Sequence, residues 1–170
     1  MEEQGLLKWI DIPPVWLALF GAVAWGLARA DLWGLSFGGG WSDFLAGILI
    51  GGGLILMLLA VVEMRKWRTT FIPHKEATHL VQSGIFRRSR NPIYLGDVLV
   101  LTGFILKLDA PEALVLVPIF LWWIERHFIF AEEDRLRRKY RADFARYCAK
   151  TRRWLRRHCS VTLPALGPAK

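Results

Sequence analysis

The chain has 170 residues, a length that suits a single domain and argues against a multidomain enzyme. Hydrophobic residues make up 54% of it, including 9 Trp, and its mean hydropathy is +0.28; soluble domains use about 45–50% apolar residues, so neither a disordered tail nor a water-soluble single core fits. The formal charge of +8, from 23 Lys+Arg against 15 Asp+Glu, admits nucleic acid, an anionic membrane surface or an anionic substrate.

The chain opens Met1-Glu2-Glu3, without a basic n-region or an Ala-x-Ala site, so no cleavable signal peptide is expected. Residues 14–30 are apolar up to Arg29, and Pro14 suits a first helical turn, where a missing N–H costs nothing. This is the first predicted span. Residues 31–43 contain no Lys or Arg, and their Gly38-Gly39-Gly40 reads as a turn. Residues 44–64 form a second apolar run broken only by Glu63; as a helix it would extend roughly 31 Å, enough to cross a bilayer. Gly51-Gly52-Gly53 lies mid-span, with no preceding strand and no phosphate-binding Lys, which predicts a close helix-packing site and not a nucleotide loop.

Residues 93–108 are a third span carrying Asp97 and Lys107, and residues 113–131 a fourth that is apolar until Glu125, Arg126 and His127. Between them Asp109-Ala110-Pro111-Glu112 leaves room only for the turn of an antiparallel helical hairpin. The predicted fold class is all-α: a polytopic membrane protein with about four transmembrane helices and a cytoplasmic C-terminal amphipathic helix. Residues 65–90 hold seven Lys/Arg against Glu76 alone, and residues 132–170 hold twelve against four acids. The positive-inside rule places both segments, and with an even number of spans both termini, in the cytoplasm. This accounts for most of the charge, so no nucleic-acid partner is expected; the expected contacts are membrane lipids.

Cys148 and Cys159 fall in the basic C-terminal segment, match no Cys-x-x-Cys pattern and read as reduced thiols. His74, His79, His127 and His158 have no metal-ligand spacing, so no metal site is expected. Polar residues gather instead at the cytoplasmic mouth. The stretch from His79 to Phe86, followed by Arg90-Asn91-Pro92-Ile93-Tyr94, joins a loop to the start of the third span, with Pro92 placed to open the helix and its backbone donors available to a ligand. Across the hairpin, Arg126 and Glu133 are seven residues apart, as are Glu125 and Glu132, so each pair is predicted to share a helix face and Arg126 and Glu133 to reach one pocket. Ionisable residues at membrane depth point to a functional site; the plainer alternative is a snorkelling Arg126 and a solvated helix start at Glu132 and Glu133.

His79-Leu80-Val81, Ser83-Gly84-Ile85-Phe86, then Arg90 and Pro92-x-Tyr94, resemble the signature of the isoprenylcysteine carboxyl methyltransferase family. Glu132-Glu133 followed by Leu136, Tyr140, Phe144 and Tyr147 are similar to that family's Glu-Glu pair and the Tyr-containing helix behind it. The resemblance covers roughly residues 74–155 and leaves the first two spans unsupported. It implies an integral-membrane enzyme, of bacterial type, that uses S-adenosylmethionine without a dinucleotide-binding domain. Carried over residue by residue, it makes His79, Leu80, Val81, Gly84, Phe86, Arg90, Asn91, Pro92 and Tyr94 the cofactor pocket, with Glu132 as its acidic contact. Arg90, Arg126 and Glu133 are the candidate catalytic residues. A sulfonium and an ammonium favour a carboxylate and aromatic faces, and the cofactor's carboxylate favours Arg90 or the helix start.

The sequence departs from the family where Asn91 replaces a His and Phe86 a Tyr. The family's acceptor-binding Arg falls on Phe128, with Arg126 two residues earlier. The implied organisation is one membrane domain over residues 1–170: two N-terminal spans in 1–64, a cofactor-binding core in 74–155 and a basic tail in 156–170. The acceptor is expected to be a lipophilic molecule in the membrane, whether the carboxylate of a prenylcysteine-like molecule, a lipid headgroup or a thiol. Two other classes stand beside this one: a sterol-reductase-like membrane oxidoreductase with a nicotinamide cofactor, and a non-catalytic anchoring subunit whose Leu136, Tyr140, Phe144 and Tyr147 dock on a partner or on the membrane surface.

Overall fold

A computed structural model describes residues 12–31, 33–67, 80–151 and 153–154. Its regular structure is helical: α1 (Pro13–Ala30), α2 (Gly40–Lys66), a 3-10 turn at Gly84–Arg87, α3 (Pro92–Lys107), a 3-10 turn at Pro111–Val115, α4 (Leu116–Ile124), a π-helical turn at Glu125–Ile129 and α5 (Phe130–Lys150). Each apolar segment read from the sequence falls in helix. Proline opens both α1 and α3 in the first turn, where the ring's fixed φ suits the helix and its missing N–H has no helical partner to lose. Asp31 ends α1 in a left-handed conformation, φ 41°, and its N–H bonds back to the Leu27 carbonyl.

Among the described residues, two helices are long and apolar enough to cross a membrane: α2, and the continuous run Pro111–Lys150. The fourth predicted span and the C-terminal helix are thus one element and not two. α5 bends at Arg141, whose backbone (φ 33°, ψ −103°) leaves the helical region. Beyond the bend, Phe144, Tyr147 and Cys148 are buried together with Leu80, Leu136 and Tyr140 packed on them. The aromatic stripe read from the sequence as a possible docking face therefore closes inward on the loop before α3.

α2 and α3 make the most extensive helix contact in the structure, and small residues set its closeness. Ala46, Gly53 and Ala60 on α2 recur every seven residues and are buried, as do Gly96 and Gly103 on α3. A Cβ on Gly103 would stand 2.9 Å from the Ala46 carbonyl oxygen, so the backbones themselves touch, as helices do where no larger side chain intervenes. Of the mid-span glycine triple, Gly53 makes this approach, while Gly51 and Gly52 have open space beside them. The outer face of α2 exposes Phe44, Ile48, Leu54, Ile55, Leu58, Leu59 and Val62, an apolar surface of the kind suited to lipid or to a partner. The main core lies between α1, α3 and α4, where Leu101, Ile105, Phe120, Ile124 and Ile129 are fully buried. It fixes α3 against the hairpin return, bringing the start of α3 beside the π turn and the start of α5.

Candidate functional site

The loop leading into α3 is held at three points. Val81 and Phe86 pack on Ala60 of α2, with Met64, Ile85 and Ile93 around them. The Tyr147 hydroxyl donates to the Phe86 carbonyl at 2.7 Å. The Ser83 hydroxyl donates to Glu63 at the end of α2, and Trp67 Nε1 donates to Ser83 Oγ at 2.7 Å. Gly84 follows with φ +56°, and a Cβ there would fall 2.7 Å from Glu63 Oε2. Both the left-handed backbone and the carboxylate's proximity require glycine at this position.

Arg90, Asn91, Pro92 and Tyr94 come next, at the mouth of the helix bundle. Ser89, Asn91, Pro92 and Tyr94 are buried. The Asn91 N–H donates to Ser89 Oγ at 3.2 Å, a local turn that aims the chain into α3. The Arg90 side chain is only 5% exposed, with Nη1 3.5 Å from Glu133 Oε1 and in contact with Cys148 Sγ. Its Nε is buried without a hydrogen-bond partner among the described residues. Tyr94 donates its hydroxyl to Glu132 Oε2 at 3.2 Å and stacks on Phe128, ring centroids 6.2 Å apart.

The structure thus brings together Leu80, Val81, Gly84, Phe86, Arg90, Asn91, Pro92, Tyr94, Glu132 and Glu133. His79 lies outside the described residues. Arg126 is exposed on the π turn and does not meet Glu133. A π turn inserts one extra residue into the helix, so two turns here take eight residues instead of seven, and the expected pairing of Arg126 with Glu133 is replaced by that of Glu125 with Glu133. Both of these carboxylates reach Arg153: Glu133 accepts from Arg153 Nε at 3.1 Å, and Glu125 Oε1 lies 3.6 Å from Arg153 Nη1. The Trp154 indole N–H donates to the same Glu125 oxygen at 3.0 Å.

Two polar residues of this region went unassigned in the sequence. Asp97 was visible as a charge inside an apolar run; it sits one turn along α3 from Tyr94, on the same side of the helix, 2% exposed and with Oδ2 unpartnered among the described residues. Arg153 was one of twelve basic residues in a charged tail, with nothing local to distinguish it. Burial works against its charge, but the hydrogen bonds and charges of Glu133 and Glu125 outweigh that and hold its pKa above the ordinary arginine value. Among the described residues no group of three or more His, Cys, Asp or Glu is placed to hold a metal ion.

Residues 41–143 match the phospholipid methyltransferase family. The match takes in α2, the loop, α3, the hairpin and most of α5, reaching further toward the N-terminus than the motif resemblance did and placing the second apolar segment within the family. Curated proteins and solved structures gave no match. With more than half its length matched, the chain belongs to this family of membrane methyltransferases, which includes those like the isoprenylcysteine carboxyl methyltransferases.

Proposed function

We propose that this member of the phospholipid methyltransferase family moves a methyl group from S-adenosylmethionine to a lipophilic acceptor at the cytoplasmic mouth of a four-span bundle, both termini facing the cytoplasm. The observation that carries the proposal is a pair of orphaned polar atoms on the segment that runs from the loop into α3. Arg90 Nε is a buried donor and Asp97 Oδ2 a buried acceptor, neither with a partner among the described residues, and buried polar groups are almost always paired. A ligand with a carboxylate and an ammonium offers a partner to each, the carboxylate accepting from Arg90 and the ammonium donating to Asp97.

S-adenosylmethionine supplies a methyl carbon already activated on a cationic sulfur. The residues of the chain bind and align. Arg90 binds a carboxylate through its free donor, a charge-assisted contact in a poorly hydrated place. Glu132 and Asp97 face positive charge, and the Tyr94 and Phe128 rings offer it their π faces. Leu80, Val81, Gly84, Phe86, Asn91 and Pro92 shape the wall and exclude water, so that nucleophile, methyl carbon and leaving sulfur can lie in line. The exposed guanidinium of Arg126 is the cation open to the acceptor's polar end. Glu133 steadies Arg90 from behind.

Family membership leaves the oxidoreductase and anchoring-subunit readings without support. Calorimetric titration of the detergent-solubilised chain with S-adenosylmethionine and S-adenosylhomocysteine tests the proposal without knowledge of the acceptor. Saturable binding of both is expected, and binding of neither overturns it.

A further inference from the structure

Arg153 touches both halves of the site yet lies beyond the residues that match the family. Its guanidinium grips Glu133 in two places, Nε to Oε1 and Nη2 to Oε2. Glu133 in turn stands 3.5 Å from Arg90. The main-chain carbonyl of Arg153 accepts from Ser89 Oγ at 3.2 Å and from Asn91 Nδ2 at 3.3 Å. A single residue therefore holds a carboxylate on the hairpin's return helix and the segment that feeds α3. The Phe130 ring lies under the guanidinium, 5.0 Å away, restricting it further.

We propose that Arg153 is a positioning residue for the cofactor pocket: by occupying Glu133 it leaves Arg90 free to bind a carboxylate, and by its carbonyl it fixes Asn91 and Ser89 beside the mouth. The proposal rests on the assignment of Arg90 to the cofactor. The charges explain the arrangement. Arg90, Arg153, Glu125 and Glu133 are neutral as a set, and removing one member of a buried ionic group leaves another uncompensated. Without Arg153, Glu133 has Arg90 alone to neutralise it, and Arg90 is drawn fully onto that carboxylate instead of offering its remaining donor outward. With Arg153 in place, Glu133 is satisfied twice over and Arg90 keeps a donor to spare.

The test is calorimetric binding of S-adenosylhomocysteine to the full chain in detergent, for wild type, Arg153→Met, Glu133→Gln and the double variant, with unfolding midpoints measured alongside. Arg146→Ala, an exposed residue paired with Asp143, is the control and is expected to bind as wild type. Arg153→Met is expected to weaken binding by about tenfold or more, and by less than about threefold once Glu133 is already Gln, because residues acting through one another are not additive. Arg153→Lys keeps the charge without the fork, and a loss of about threefold to fivefold is expected. If Arg153→Met fails to fold, Arg153→Lys alone and with Glu133→Gln decides by the same comparison. Wild-type affinity in the Arg153 variants, or losses that simply multiply in the double variant, overturns the positioning role. Absence of binding by wild type overturns the methyltransferase proposal instead.

Discussion

Gly53 and Gly96 meet backbone to backbone: a Cβ on Gly53 would stand 2.7 Å from the Gly96 carbonyl oxygen, and one on Gly96 would stand 2.8 Å from that of Gly53. The contact pins α2 to α3 two residues past Tyr94, so helix packing and site geometry are set at the same place. Replacing either glycine by Leu forces the helices apart, at a cost of about 1–3 kcal/mol for overpacking. Thermal unfolding in detergent is expected to show that loss for Gly53→Leu and Gly96→Leu. Gly51→Ala and Gly52→Ala, which have nothing within 4 Å, are expected to hold or raise the midpoint, since Ala is the better helix former.

Most of the helical plan was legible because its signals are local. Apolar runs, helix-opening prolines at 14 and 92 and the short turn at 109–112 each declare themselves within a few residues, and the block from Leu80 to Tyr94 is contiguous, so its members stay together in the fold. What could not be read was register and reach. Glu125-Arg126-His127-Phe128-Ile129 is ordinary helical sequence, and only packing against the core makes it a π turn, which moves Arg126 off the Glu133 face. Arg153 finds its partners 20 residues away at Glu133 and 62 away at Asn91, distances at which spacing carries no information.

Gly84 offers a second check on the loop. Ala at this position must hold a left-handed backbone, which costs roughly 1–2 kcal/mol, and must push Glu63 aside, breaking its bond with Ser83. Gly84→Ala is expected to weaken S-adenosylhomocysteine binding more than it lowers the unfolding midpoint, because the loop can shift while the helices stay. Pairing it with Glu63→Ala removes the clash but not the backbone cost. Calorimetry on the two variants should therefore give a partial recovery, and a full one would show that the backbone conformation is immaterial.

The proposed pocket residues should separate from their basic neighbours. Arg90→Ala and Glu132→Gln are each expected to weaken S-adenosylmethionine binding by about 1.5–3 kcal/mol, the range for losing a hydrogen bond to a charged group. Tyr94→Phe removes the hydroxyl that bonds Glu132 but keeps the ring, and a smaller loss is expected. Arg87 and Arg88 are exposed and more suited to anionic headgroups at the bilayer surface, so Ala there should leave binding near wild type. Equal losses at all these positions would mean general unfolding.

Membrane orientation can be read with single cysteines placed in a chain whose Cys148 and Cys159 are Ser. Ser89 is buried, 2% exposed, and makes a poor probe; the adjacent Arg88 is exposed. A cysteine at 88 is expected to resist an impermeant reagent added outside intact cells, while one at Ser36, exposed in the stretch without Lys or Arg, is expected to react. Labelling at 88 from outside would place the mouth on the wrong side for a cytosolic cofactor.

The acceptor is tested at Arg126. Its side chain stands exposed on the π turn, while Glu125 and Glu133 on the same stretch are both held by Arg153. On the proposed function, a lipophilic acceptor lying in the membrane would meet this turn with its polar end. If that end is a carboxylate, Arg126 binds it as a two-pronged fork, no general base is needed, and Arg126→Lys should slow turnover because an ammonium cannot reproduce the fork. If it is an amine, the cation at 126 is unfavourable, and Arg126→Lys should leave turnover unchanged while Arg126→Gln raises it. A proton must then leave the amine, so the rate should climb with pH. Methyl transfer to a panel of prenylated acids, lipophilic thiols and aminolipids, measured for wild type and both variants, separates these cases, and unchanged activity of both variants on every acceptor would remove Arg126 from the site.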